Sequence, residues 1–371
     1  MNTETMAALK WNRHPIDFEF SIGEATGALG DSITVLPLIA AMAVLADLSL
    51  TWMLVWFGIF QIVWGLYYGV PLSVEPMKAL AGLLLAGTMS TGEFLVAGVL
   101  AGGVLLGIGT TGVIGRLEAY FSTPVIRGVQ LAVALILVRT GVELGVASPG
   151  LAAGAAILGL SLIAVGYWNV TALAVLLAGG VVVIAQQGLT LQSPPPVTVP
   201  HLVVADLTLG AVEATAAQLA MTVGNAAVAT SLLLDDYFDR RISPDELASS
   251  MGVMNLVTIP LGGIPMCHGS GGVAGKYTFG ARTAAANVVL GLAYISLGLV
   301  AVGLLAAYPH AMLGVILVLV ALELGRTSLR TDTYLIVGLV GLLGVLTNIG
   351  LALVAGIVVD QIRERRNWSL W

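Results

Sequence analysis

Long apolar runs dominate the chain, and short polar or charged breaks separate them. A helix that crosses a bilayer needs roughly 20 apolar residues. On that measure the pattern predicts segments at 22–46, 51–69, 70–90, 93–115, 121–139, 150–165, 168–187, 203–234, 247–263, 264–281, 284–307, 309–325, 332–346 and 348–362. This count, fourteen, puts both termini on one side. The third and tenth segments are interrupted by Pro and Gly, so neither runs as one straight helix. Residues 1–20 read as a polar tail without the short apolar core and cleavage site of a secretory signal. Residues 363–371 read as a short basic tail.

Composition narrows the class. Of 371 residues, 58% are hydrophobic and 10% charged, and mean hydropathy is +0.98. A soluble domain carries about 25% charged residues. Disorder, nucleic-acid binding, a disulfide scaffold and a water-soluble enzyme are excluded. What remains is an all-α integral membrane protein whose surroundings are the lipid bilayer. The single Cys267 allows no internal disulfide and no Cys-based metal cluster; no second His or Cys lies at ligand spacing from His268, so no metal is expected, and no cofactor is expected. Cations fix an orientation. Lys10, Arg13, Arg116, Arg240, Arg241, Arg282, Arg326, Arg330, Arg363, Arg365 and Arg366 fall in loops and tails on the terminal side, whereas Arg139 alone falls on the other. Excess Lys and Arg mark the cytoplasmic face. The expectation is a multi-pass protein of the cell membrane with both termini cytoplasmic.

The chain repeats itself. A Pro-rich linker, 194–202, separates a first seven-span unit (21–193) from a second (203–362). Gly30-Asp31 matches Gly224-Asn225, and Gly69-Val70-Pro71-Leu72-Ser73 matches Gly263-Ile264-Pro265-Met266-Cys267 in the same register. Seven spans per unit is odd, so the second copy is inverted, a pattern of secondary transporters. The second matched pair lies where helices break. Val70 and Glu75 precede prolines and avoid helical geometry, and a helix can restart at Pro76 or Met77. IPMCHG reads as the equivalent extended stretch ahead of a Gly-rich helix start. Two half-helices then begin at membrane depth with their amino termini facing each other. Free N–H groups and the positive end of each helix dipole make an anion site.

At these residues the sequence resembles the molybdate transporter family, a branch of the SulP-type (sulfate permease) anion transporter superfamily. YGVPLSVEPMKALAG and CHGSGGVAGKYTFGART are similar to its two signatures, and GEATGALGDSITVLPL, TPVIRGVQLAVAL and QLAMTVGNAAVATS are similar to further segments. The resemblance runs from about Ser21 to Gln361. It implies seven plus seven inverted spans, a core domain (spans 1–4 and 8–11) moving against a gate domain (spans 5–7 and 12–14), and a homodimer. The chain ends about ten residues after its last span, so the cytosolic domain usual in SulP permeases is expected to be missing, as in the molybdate branch.

Candidate binding residues follow from the half-helix reading. Ser73, Val74, Glu75, Pro76, Met77 and Lys78 carry the first break. His268, Ser270, Gly271 and Gly272 carry the second. Lys78 either attracts the anion or pairs with Glu75 three residues earlier; a cation at membrane depth is costly and usually functional. Glu75 either caps the helix that follows it or couples transport to a proton. Backbone N–H groups at Ser73 and Val74, and at Ser270, Gly271 and Gly272, face the ligand or serve packing. His268 either donates to the oxyanion or is a satisfied core histidine. Gln218, Thr222 and Asn225 form one polar stripe on the eighth span, for ligand contact or interhelical bonding. Asp31 would repel a dianion, so its expected role is structural or coupling. Lys276, Arg282 and Arg127 either snorkel to the headgroups or draw anions into the inward vestibule.

The reading is a secondary active transporter of a tetrahedral oxyanion, with molybdate favoured by the resemblance. Sulfate and tungstate fit the same scaffold, and a nucleobase permease or an anion channel is a weaker alternative. No Walker-type loop is present, so direct ATP drive is excluded. No catalytic spacing links Asp31, Glu75, Cys267 and His268, so an enzyme is not expected.

Overall fold

The computed structural model describes residues 18–46, 48–114, 122–188, 194–197, 203–300 and 307–365. Lys10, Arg13, Arg116, Arg366 and most of the 194–202 linker lie outside the described residues. Every predicted apolar segment coincides with a helix: α1 (Ile22–Leu45), α2 (Leu50–Tyr68), α3 (Lys78–Leu85), α4 (Thr91–Thr111), α5 (Thr123–Val146), α6 (Pro149–Ala164), α7 (Thr171–Gln187), α8 (Leu209–Phe238), α9 (Pro244–Thr258), α10 (Ser270–Thr278), α11 (Ala285–Val300), α12 (His310–Ser328), α13 (Tyr334–Leu346) and α14 (Ile349–Arg365). The expected basic tail begins later than 363, because α14 continues through Arg365.

Among the described residues α2, α4, α5, α8 and α12 are long and apolar enough to cross a bilayer alone, and α1 joins them if its two arms count as one span. α6, α7, α11 and α13 are apolar but shorter. The chain is a multi-pass helical membrane protein. α1 bends between Ile33 and Val35. Pro37 lies one turn later, removes the N–H that would bond to Ile33 and crowds that carbonyl. Capping boxes start α4 at Ser90–Glu93 and α9 at Ser243–Glu246. Gly69, at φ 69°, ends α2 in the left-handed conformation that glycine adopts without strain.

Packing divides the helices into two sets. α2 lies along α11, α4 along α9, and α1 along α10 and α11. In the other set α5 lies along α12 and α13, while α6 and α7 lean on α12. Small residues permit these crossings, as is usual where lipid removes the hydrophobic drive for helix association. A Cβ on Gly58 would lie 2.5 Å from the Gly291 carbonyl oxygen, and one on Gly30 would lie 2.6 Å from that of Gly275. α1, α3 and α8 of the first set face α5, α7, α12 and α14 of the second. A cavity lies at this junction.

Candidate functional site

The two sequence breaks meet. The chain leaves α2 at Gly69, runs extended, and restarts as α3 at Lys78 behind the N-cap Met77. Its counterpart restarts as α10 at Ser270 behind Gly269. Between them the extended residues pair as a two-residue antiparallel ladder, Glu75 with Cys267 and Pro76 with Met266. The Met77 N–H donates to the Pro265 carbonyl at 3.0 Å. α3 and α10 therefore start from opposite sides of one crossing.

Extended backbone at membrane depth must find its hydrogen bonds inside the protein. Buried side chains supply them. Asn255 bonds both ways with Met266, donating to its carbonyl and accepting from its N–H, each at 2.7 Å. Lys276 and Asn287 donate to the Leu72 carbonyl, each at 2.7 Å. Gln61 donates to the Val74 carbonyl at 3.2 Å. The His268 Nδ1 lies 3.0 Å from the Ser73 carbonyl, which can only accept, so that nitrogen carries the proton. Its Nε2 meets the Ser250 hydroxyl at 2.8 Å. His268 is thus a satisfied core histidine that pins the first break.

Four charged side chains sit behind and beside the crossing. Lys78 pairs with Glu75 at 2.5 Å, and Lys276 pairs with Asp31 at 3.2 Å. Two cations balance two carboxylates, which keeps the cost of burying them tolerable. Ser73 Oγ donates to Asp31 at 2.7 Å, and Gln61 Nε2 donates to its other oxygen at 2.6 Å. Two expectations need correction. Glu75 does not cap the helix that follows it; its Oε1 accepts the Gly272 N–H of α10 at 2.9 Å. Lys276 does not snorkel. It is fully buried and donates to Gln61, Leu72 and Asn287 at 2.7–2.8 Å as well as pairing with Asp31. The close approach of α1 and α10 at Gly30 and Gly275 brings Asp31 within its reach. Arg282 is exposed and sits 3.8 Å from the Tyr277 ring centroid, and Arg127 is partly exposed and donates to the Thr327 carbonyl.

A cavity of about 440 Å³ opens from the crossing between the two helix sets. Lys78, Asn225, Ser270 and Gly271 line it from the first set, and Gln130 of α5 lines it from the second. Ser270 Oγ donates to Asn225 Oδ1 at 2.5 Å. Asn225 lies in a π-helical stretch, Thr222–Ala229, within α8; such stretches recur at functional sites. The other two residues of the α8 stripe are drawn elsewhere. Gln218 Oε1 accepts the Ala79 and Leu80 N–H groups at 3.0 and 3.4 Å, and its amide donates to Thr222 at 2.9 Å. Gln218 is therefore the cap of α3, and neither it nor Thr222 borders this cavity. Ser73, Val74, Glu75, Pro76 and Met77 are buried in the crossing and do not line it either. The two glycines differ. Nothing lies within 4 Å of a Cβ on Gly271, whereas one on Gly272 would fall 2.1 Å from Ser73 Oγ and 2.4 Å from Asp31 Oδ1.

Away from the crossing the same cavity is bordered by Trp168, Glu323, Thr327 and Arg330. The Trp168 indole donates to Glu323 at 2.6 Å, and Arg326 lies 4.2 Å from its ring centroid. A second cavity, of about 400 Å³, lies at the other ends of α3, α5 and α8, bordered by Leu83, Arg139, Glu143 and Glu213. Arg139 pairs there with Glu143 at 2.9 Å. Sequence reasoning passed over Gln61, Gln130, Asn255 and Asn287. Each is an amide in an otherwise apolar run, and that contrast was the available signal.

The family described as "Molybdate transporter of MFS superfamily" matches residues 23–137 and again 210–324. Molybdate transporter 2 of Arabidopsis thaliana is 27% identical over 363 residues, covering 82% of this chain and 78% of that protein. Molybdate transporter 1 of Chlamydomonas reinhardtii is 25% identical, covering 96% and 92%. Among solved structures, the murine solute carrier 26 member A9 anion transporter in its inward-facing state superposes with a TM-score of 0.70 at 13% identity, covering 99% of this chain and 72% of that one. The transmembrane domain of the cyanobacterial bicarbonate transporter BicA gives 0.60 at 17% identity, covering 92% and 96%. These likenesses show the fold that the chain shares with those two proteins. With its two matches spanning more than half of the sequence, the chain belongs to the molybdate transporter family.

Proposed function

We propose that the chain is a secondary active transporter of a tetrahedral oxyanion, molybdate before tungstate or sulfate, and that it holds the anion at the crossing end of the 440 Å³ cavity. The observation that carries this reading is the convergence of two short helices, α3 and α10, beside one partly exposed cation, Lys78. The Lys78 side chain is 23% exposed while its partner Glu75 is 2% exposed. Lys78 can turn from Glu75 toward an anion without leaving the carboxylate unsupported, because Gly272 still donates to it. The α10 amino terminus at Ser270 and Gly271 adds donors and a positive dipole end. Neutral donors and one cation suit a ligand whose oxygens only accept. A nucleobase would call for acids where Asn225 and Ser270 stand.

Alternating access rests on the two cavities. The first borders α1, α3, α5, α8, α10, α12 and the α6–α7 region, and the second borders α3, α4, α5, α8 and the α13–α14 region. The double match of the family supports a seven-plus-seven inverted repeat, which would relate an inward to an outward opening. In this mechanism α1–α4 and α8–α11 form the core that carries the anion, and α5–α7 and α12–α14 form the gate. Arg330 borders the first cavity away from the crossing and Arg326 lies over the Trp168 ring beside it, which supports a cytoplasmic opening there, cytoplasmic termini and residence in the cell membrane. The homodimer is carried by the family resemblance alone. The test is equilibrium binding of molybdate, tungstate, sulfate and uracil to the purified protein under identical conditions. Binding of the dianions without uracil supports the proposal, and uracil binding more tightly than molybdate overturns it.

A further inference from the structure

On the crossing side of the cavity the polar side chains Lys78, Asn225 and Ser270 are all engaged, with Glu75 and with each other. Gln130 is different. It borders the same space from α5, it is 5% exposed, and its Oε1 has no hydrogen-bond partner. Buried amides are normally satisfied, and each exception calls for a reason. Its place on the helix sharpens the point. Ile126, Gln130, Val133 and Leu137 follow the helical spacing of one face of α5. Ile126 reaches the site of a Gly224 Cβ on α8 to within 2.4 Å, and Val133 and Leu137 reach that of a Gly82 Cβ on α3 to within 2.5 and 3.9 Å. The apolar members of this face thus seat against small residues of α3 and α8. The polar member falls at the gap between those contacts, where the cavity is.

We infer that Gln130 is a substrate-binding residue: its amide donates to the oxyanion from α5, across the cavity from Lys78 and Ser270. This rests on the proposed oxyanion site and extends it to the second helix set. A side-chain amide rotates about its last bond, so Nε2 can face the ligand. An anion held this way bridges the two helix sets, and the reach of Gln130 sets the size of oxyanion that fits.

The test uses the full chain purified in detergent. Molybdate and sulfate are titrated against wild type, Gln130→Leu, Gln130→Asn and Lys78→Ala, with a thermal melt of each. Gln130→Leu is expected to lose at least about tenfold in molybdate affinity, the scale of one hydrogen bond to a charged group, while melting no lower than wild type. Gln130→Asn keeps the amide but withdraws it by one methylene, and it is expected to shift the molybdate-to-sulfate affinity ratio at least about threefold, half the energy of a tenfold change. If Gln130→Leu does not fold, the Asn variant decides: an unchanged ratio overturns the inference. Wild-type affinity in a folded Gln130→Leu also overturns it. Loss of binding in Lys78→Ala with Gln130→Leu unaffected rejects Gln130 alone. A wild type that binds neither anion rejects the oxyanion site and this inference together.

Discussion

Replacing Lys276 by Met removes the charge that neutralises Asp31. The structure sets the magnitude. Lys276 Nζ donates to three oxygens at 2.7–2.8 Å and pairs with Asp31 at 3.2 Å, with both side chains fully buried. Met fills a similar volume, so the packing change is small and the electrostatic loss dominates. Asp31 keeps Ser73 and Gln61 as donors but has lost its counter-charge, with the Glu75 carboxylate sharing the Ser73 hydroxyl at 3.2 Å. Breaking one side of such a buried pair costs about 3–5 kcal/mol. At about 2–4 °C per kcal/mol, the apparent Tm should fall by roughly 6–20 °C. Tryptophan fluorescence on heating the purified protein reads this directly. The double variant Lys276→Met with Asp31→Asn removes both charges and should recover at least half of the loss, because pairs of this kind couple strongly. A single variant that melts like wild type, or a double variant that melts lower than the single, would refute the counter-charge role.

Lys78→Ala should cost molybdate affinity at least about tenfold with a much smaller fall in Tm than Lys276→Met, as read by titration and melting on the same samples; the reverse order of effects rejects the division of labour between the two lysines. Gly271→Ala places a methyl in the open cavity and should weaken molybdate more than the smaller sulfate in competition, whereas Gly272→Ala collides with Ser73 and Asp31 and should cost about 1–3 kcal/mol of stability; equal melts for the two variants would contradict this. Gln218→Ala leaves the Ala79 and Leu80 N–H groups of α3 without their acceptor and should lower stability by about 0.5–2 kcal/mol, measurable as a shift in Tm.

Much of the fold was legible because its signals are local. Apolar runs, Pro71 and Pro76 before α3, and the Gly-rich start of α10 each act within a few residues, and every segment they predict holds a helix, in 70–90 and 264–281 only over part of its length. The meeting of the two breaks was legible too, because matched fragments in one register imply equivalent places. What failed was long-range. Glu75 stands three residues before Lys78, so capping the following helix looked natural, yet its acceptor serves Gly272, 197 residues away. Lys276 sits in the last turn of α10 and looked peripheral. A helix side chain leans back toward its own amino terminus, and here that direction leads to Asp31 and the Leu72 carbonyl. The α8 stripe was read as one face, but the π-helical stretch changes the rotation per residue, leaving Asn225 at the cavity and Gln218 on α3.

The central claim is that the oxyanion sits where α3 and α10 converge, and tungstate tests it most directly because tungsten scatters X-rays anomalously and replaces molybdate at nearly equal size. A tungstate complex of the purified protein should show its anomalous peak within hydrogen-bonding reach of Lys78 Nζ and the Ser270 and Gly271 N–H groups, on the side facing Gln130. A bound tungstate located instead beside Arg139 in the second cavity, or beside Arg330 at the outer end of the first, would contradict the account.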